Sequence, residues 1–212
     1  MKPYLDVDGF DTNATYVALA ESRGTRTICY LDIGSAESNR LDYASLSAIS
    51  RLLGNSNPSF AGERYIDMRR YPEFIQIMDD RFRMCRDEGF GYVEFDVMDA
   101  FEDGAATTGF NLTEQDMINY VTALSSRARG YGLKPMQKNA SGSSAKLISL
   151  FDAILFEGCV LGNFCTDDSP YVTAGKPAFN AEYPEEWPAG TLTGPGHAAY
   201  RPMRKSRRSS PW

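Results

Sequence analysis

Seven short apolar runs recur along the chain, at residues 4–8, 27–33, 65–68, 92–98, 134–138, 153–157 and 177–182. Their length, and in all but the run at 134–138 their β-branched and aromatic content, predict strands. Between them lie stretches of helical spacing at 12–23, 43–53, 72–88, 114–131, 144–150 and 168–174. Thr113 followed by Glu114, Gln115 and Asp116 is a helix start with acids in its first turn. Gly89 and Gly132 stand where helices end, as C-terminal glycines do. Strand and helix in alternation predict a parallel sheet with crossover helices. Seven strands are one short of a (β/α)8 barrel. An open doubly wound sheet is the other arrangement that right-handed crossovers permit. No glycine-rich phosphate loop follows the first run, since D8-G-F-D11 lacks the dinucleotide spacing, and this argues against the second arrangement.

The polar residues that interrupt these runs matter more than the runs. Gly89-Phe-Gly-Tyr-Val-Glu94-Phe-Asp96-Val-Met-Asp99 carries acids through an apolar strand. Alternation sends Glu94, Asp96 and Met98 to one face and Val93, Phe95 and Val97 to the other. Two carboxylates on one face of a hydrophobic strand are costly to bury unless something uses them. Asp6, Asp8, Asp32, Asp67, Asp96, Lys138 with Asn139, Glu157 and Glu182 all stand at predicted strand ends. In a barrel such ends open on one rim, where the active sites of that fold lie. Taken singly, each acid has a plainer reading as a helix cap or an arginine partner, and for Asp8 and Asp67 that reading is preferred.

Composition narrows the chemistry. The single histidine, His197, lies near the C-terminus, which argues against a Ser–His–Asp triad or a histidine-activated thiol. The four cysteines form no CxxC pair, so a zinc site is not expected. Paired carboxylates without these partners point to glycoside hydrolysis, in which one acid protonates the leaving oxygen and the other attacks or activates water. A magnesium site at Asp32, Asp96 and Glu157 is the lesser alternative. The net charge is −6, although residues 184–212 hold Arg201, Arg204, Lys205, Arg207 and Arg208 against Glu185 and Glu186. An acidic body disfavours nucleic acid. No run reaches the roughly 20 apolar residues of a membrane helix. The first ten residues lack a signal-peptide pattern, whereas the triplets at Asn13, Asn111 and Asn139 are compatible with secretion.

These segments together resemble glycoside hydrolase family 114, the endo-α-1,4-polygalactosaminidases. The resemblance runs in order through D6-V-D8-G-F-D11, I28-C-Y-L-D-I-G-S-A-E37 with Arg40, G62-E63-R-Y-I-D67-M-R69 and the segment from Gly89 to Asp99. It continues through T108-G-F-N-L-T113, G132-L-K-P-M-Q-K138-N139, F151-D-A-I-L-F-E157-G-C159 with Cys165, and G175-K-P-A-F-N-A-E182-Y183. The resemblance implies a TIM-type barrel that cleaves α-1,4-linked galactosamine polymer without a cofactor. It places the catalytic pair on Asp96, as nucleophile, and Glu157, as acid/base, with retention of configuration. It makes Asp32, Glu37, Lys138 and Asn139 cleft residues and lets Tyr30 wall a sugar. With Asp99 and Glu182, these acids give a groove suited to a cationic polysaccharide. It also implies a Cys159–Cys165 disulfide, while Cys29 reads as a core residue.

The family's first strand precedes the D-x-D strand with which this chain begins. The barrel is therefore expected to span residues 1–183 without that strand, with an irregular tail over 184–212. A monomer is expected, extracellular or cell-wall associated in its full-length form, with neither nucleic acid nor membrane as partner. Three departures stand out: Val97 replaces an Asn, Phe156 stands where Asn is frequent, and Arg129 corresponds to a helix His. The first two, with the absent strand, motivate an alternative, a carbohydrate-binding descendant that no longer cleaves.

Overall fold

The computed structural model describes residues 3–183; the expected tail at 184–212 lies outside them. The elements run β1 (Tyr4–Asp8), α1 (Ala14–Ser22), β2 (Arg26–Asp32), β3 (Ser35–Glu37), α2 (Tyr43–Ala48), β4 (Leu53–Ser56), β5 (Glu63–Ile66), α3 (Tyr71–Glu88) and β6 (Tyr92–Asp96). They continue with α4 (Gly104–Thr108), α5 (Glu114–Gly130), β7 (Lys134–Lys138), α6 (Ser144–Leu147), β8 (Ala153–Glu157), α7 (Cys159–Gly162), α8 (Ser169–Thr173) and β9 (Ala178–Ala181).

Six of these strands form one parallel sheet in the order β1-β2-β6-β7-β8-β9. The sheet curls, because side chains from its first and last strands meet. The Tyr4 ring on β1 lies 4.8 Å from the Phe179 ring on β9 and 5.5 Å from Tyr92 on β6. Ile28, Tyr92, Met136, Ala153, Leu155, Phe179 and Ala181 form the inner core with Tyr4. This is the layered filling of a barrel interior. A separate outer core lies under the helices. There α3 contributes Phe74, Met78, Phe82 and Cys85, and α5 contributes Met117, Tyr120, Val121, Leu124 and Ala128. Both sets recur at three to four residues and so keep one face of each helix toward the sheet. The Thr113–Asp116 capping box opens α5, and Gly89 ends α3 with a left-handed φ of 91°.

Three expectations are corrected. The run at 65–68 is not a barrel strand. β5 pairs antiparallel with β3 and β4 in a three-stranded sheet of its own. β2 therefore pairs directly with β6, and an eight-stranded barrel needs two further strands between β9 and β1, not one. The expected helix at 43–53 ends at Ala48, and its last predicted residue opens β4. Finally, β6 stops at Asp96, because Val97 turns to a φ of 57°. Alternation is broken there, and Met98 packs in the outer core rather than on the face of Glu94 and Asp96.

Cys159 and Cys165 are bonded, and so are Cys29 and Cys85, which join β2 to α3. Cys29 is indeed a core residue, but as half of a cross-link across 56 residues. A loop of that size is worth about 4 kcal/mol in the chain-entropy account. No helix among the described residues is long and apolar enough to cross a membrane.

Candidate active site

The inward-facing alternation that fills the barrel with apolar side chains changes character one layer higher. On β2, Ile28 is followed on the same face by Tyr30 and Asp32. On β6, Tyr92 is followed by Glu94 and Asp96. On β7, Met136 is followed by Lys138, and on β8, Leu155 by Glu157. Register brings Tyr30 beside Glu94 and Asp32 beside Asp96. Strand pairing alone thus assembles a polar layer on an apolar floor.

Lys138 is the centre of that layer. Its Nζ donates to Asp96 Oδ1 at 2.7 Å, lies 2.9 Å from Glu157 Oε2, and is 3.6 Å from Glu94 Oε1. Its side chain is 2% exposed and that of Glu94 is 0%, whereas Asp96 keeps 18% and Glu157 26%. The two flanking acids are therefore open to the cleft, while the lysine and Glu94 lie beneath them. Burial alone would lower the Lys138 pKa, but Asp96, Glu94 and Glu157 outweigh it and hold the ammonium well above its usual value. One positive charge faces three carboxylates, so an additional proton on one of them is favoured.

Each open carboxylate also accepts from a tyrosine. Tyr30 OH donates to Asp96 Oδ2 at 2.6 Å, and Tyr183 OH donates to Glu157 Oε1. Burial, then the charges of Asp96 and Asp32, raise the Tyr30 pKa well above normal and keep the phenol a donor. Tyr30 thus presents its hydroxyl to an acid rather than serving only as an aromatic wall. Asn139 adopts a left-handed φ of 49° just beyond β7. Its Oδ1 accepts from the backbone N–H of Glu157 at 3.0 Å, so it fixes the end of β8.

The remaining expected residues surround this centre. Asp32 is 1% exposed and accepts from the N–H groups of Gly34 and Ser35. Burial, then Asp96 and Glu63, raise its pKa well above the carboxylate range. Ser35 Oγ contacts both Asp32 Oδ2 and Glu63 Oε2. A hydroxyl has one hydrogen to give, so both contacts are satisfied when one of the two acids carries a proton. Burial and Glu37 push Glu63 to about 7, and burial and Asp96 push Asp99 to about 7. Glu37 is gripped by both Nε and an Nη of Arg40, which also binds both oxygens of Asp8. Glu182 accepts from Val160 N–H and from Asn180 Nδ2 and so anchors the turn after β8. Asp67 caps the turn at Met68–Arg70 and pairs with Arg69. Asp8 and Asp67 thus take the roles of arginine partner and cap expected for them.

The structure accordingly brings Tyr30, Asp96, Lys138 and Glu157 together, with Asp32 adjoining. It ties Glu37, Asn139 and Glu182 into the framework. Glu63 and Tyr183 were not singled out as site residues; both lie in segments too short or too polar to reveal an inward face. Phe156 faces away from the site, buried in the outer core against Phe164.

Comparison with known proteins agrees with this architecture. Aspergillus fumigatus Ega3, solved in complex with galactosamine, superposes with a TM-score of 0.80 at 28% identity, over 86% of this chain and 70% of that one. The glycoside hydrolase domain of PelA from Pseudomonas aeruginosa gives a TM-score of 0.62 at 14% identity, over 87% of this chain and 78% of that one; at that identity the likeness is one of fold. No curated protein matches. The model of glycoside-hydrolase family GH114 matches residues 3–211. This chain belongs to that family.

Proposed function

We propose that this protein is an endo-acting glycoside hydrolase that cleaves α-1,4-linked galactosamine-rich polysaccharide, with Asp96 as nucleophile and Glu157 as general acid/base. The observation that carries the reading is the convergence of both open carboxylates on one ammonium. Two contacts to a single nitrogen hold those oxygens no more than about 5.6 Å apart, short of the roughly 6.5–9.5 Å that admits a water for inversion. Asp96 accepts from Tyr30 and Lys138. Glu157 meets the same kinds of donor, Tyr183 and Lys138, so the choice of Asp96 as nucleophile and Glu157 as acid follows the likeness of their segments to the family.

The substrate class rests on charge and on likeness. Asp96, Glu157 and Glu94 outnumber the single Lys138 ammonium they share, and a polymer of free galactosamine is cationic. Ega3, at 28% identity, binds galactosamine. Two disulfides suit an oxidising, extracellular setting. Purified galactosamine polymer incubated with the protein should release oligosaccharides, and Asp96→Asn and Glu157→Gln should each abolish release without unfolding. Polymer binding without new reducing ends would favour the non-cleaving descendant. Full turnover in both variants would refute the assignment.

A further inference from the structure

Retaining hydrolysis, on which this inference rests, moves negative charge from one acid to the other. In the first half-reaction an Asp96 oxygen bonds the anomeric carbon, the glycosidic C–O bond breaks, and the Glu157 proton passes to the leaving oxygen. Asp96 is then a neutral ester and Glu157 an anion. In the second half-reaction Glu157 takes a proton from water, the hydroxyl bonds the anomeric carbon, and the bond to Asp96 breaks. Asp96 is again the anion and Glu157 the acid. At each stage a single one of the pair is charged.

Lys138 lies 2.7 Å from one acid and 2.9 Å from the other. Its side chain is 2% exposed and lies under the pair, held by Glu94 below. We propose that Lys138 is a positioning residue rather than a sugar-binding one: a fixed cation shared by two carboxylates that carry the negative charge in turn. While Asp96 is ionised, the ammonium stabilises the nucleophile. Once Asp96 is esterified, the same ammonium is left to Glu157, favours its ionised form and turns it from acid into base. No side chain has to move between the half-reactions. A lysine suits this role because its ammonium is a point charge that meets both acids at one atom, whereas an arginine such as Arg40 holds two acids on separate edges of its fork. The charged groups around Lys138 are Glu94, Asp96 and Asp99 from β6 and its following loop and Glu157 from β8; Tyr30 and Tyr183 bond its partners Asp96 and Glu157, and Asp32 stands beside Asp96.

The test is the pH profile of kcat/KM on galactosamine polymer, together with the lifetime of the covalent intermediate. Removing a shared cation disfavours the ionised form of either acid. Lys138→Met should therefore move both limbs of the profile upward by about 1–3 pH units. With a galactosamine oligosaccharide bearing an activated aryl leaving group, it should show an aryl-alcohol burst and a glycosyl-enzyme adduct by mass spectrometry. Lys138→Arg, which keeps the charge, should return the limbs most of the way to their original positions. Glu94→Gln removes an anion beneath the lysine and should move both limbs downward; it carries the test if Lys138→Met does not fold. Limbs that stay in place in both Lys138→Met and Glu94→Gln, with only KM raised in the lysine variant, would be the signature of a sugar-binding lysine and would overturn the proposal. Activity surviving in Asp96→Asn would instead sink the two-carboxylate reading beneath it.

Discussion

Two cation-centred clusters sit on the same rim, one around Arg40 and one around Lys138, and each gathers several acids. Arg40 spends its fork on two of them. Its guanidinium makes paired bonds to Asp8 and to Glu37 and stacks 4.8 Å from the Phe10 ring. Arg81 covers the same ring at 5.3 Å. Every carboxylate oxygen in those two pairs has a defined donor, so the acids are held and their charge is matched. Lys138 offers one atom to Asp96 and Glu157 and leaves both partly open to the cleft. The comparison teaches that acid count does not mark an active site. What marks it is a carboxylate excess held by a point charge, with oxygens still reachable.

The sharpest way to break the comparison is to neutralise one acid in each cluster. Glu157→Gln should cut kcat by about 10²–10⁴-fold, the usual worth of a general acid, while its melting temperature stays close to that of the parent. Glu37→Gln should do the reverse, lowering the melting temperature while kcat changes by less than tenfold. Arg40→Met should cost about 2–3 kcal/mol in chemical denaturation, a buried-pair loss reduced for the partial exposure of its partners. A smaller effect follows from pH. Asp99 and Glu63 both titrate near 7 in the fold, above the ordinary values of 3.8 and 4.5. The folded state then holds more protons than the unfolded chain in that window, so their contribution is full below about pH 4 and is lost as pH rises through 7. Thermal melts at pH 5 should exceed those at pH 8, and Glu63→Gln with Asp99→Asn should flatten the difference. The smallest effect belongs to Val97. A β-branched residue at a φ of 57° is strained, and Val97→Asn should stabilise by about 1 kcal/mol in urea titration.

Much of the framework was legible in the chain. Runs 4–8, 134–138 and 153–157 are strands with the expected bounds, because each is a short run followed by a stretch of helical spacing. The helix expected at 114–131 is α5 to within one residue, since Thr113 and Asp116 state its start. The antiparallel sheet was not legible. Leu53–Ser56 and Ser35–Glu37 are too short and too polar to carry a period, and Tyr65 with Ile66 looks like any other strand core. The Cys29–Cys85 bond was hidden because spacing does not determine pairing. Asp96, Glu157 and Lys138 were picked out individually at strand ends. That one ammonium stands between the two acids follows from the strand order β6-β7-β8 with the three side chains on one face, which no pattern within a single strand encodes.

Gly34 gives this geometry a practical edge. A methyl group added there would run into the carbonyl of Val97, the residue directly after Asp96. The mouths of the second and sixth strands are thus pressed together with no space for a side chain between them. For anyone diversifying this enzyme, position 34 is a silent dependency: an alanine there touches no acid, yet it displaces the turn on which Asp96 rests. Gly142, where an added methyl meets nothing within 4 Å, is the sort of position at which variation can safely begin.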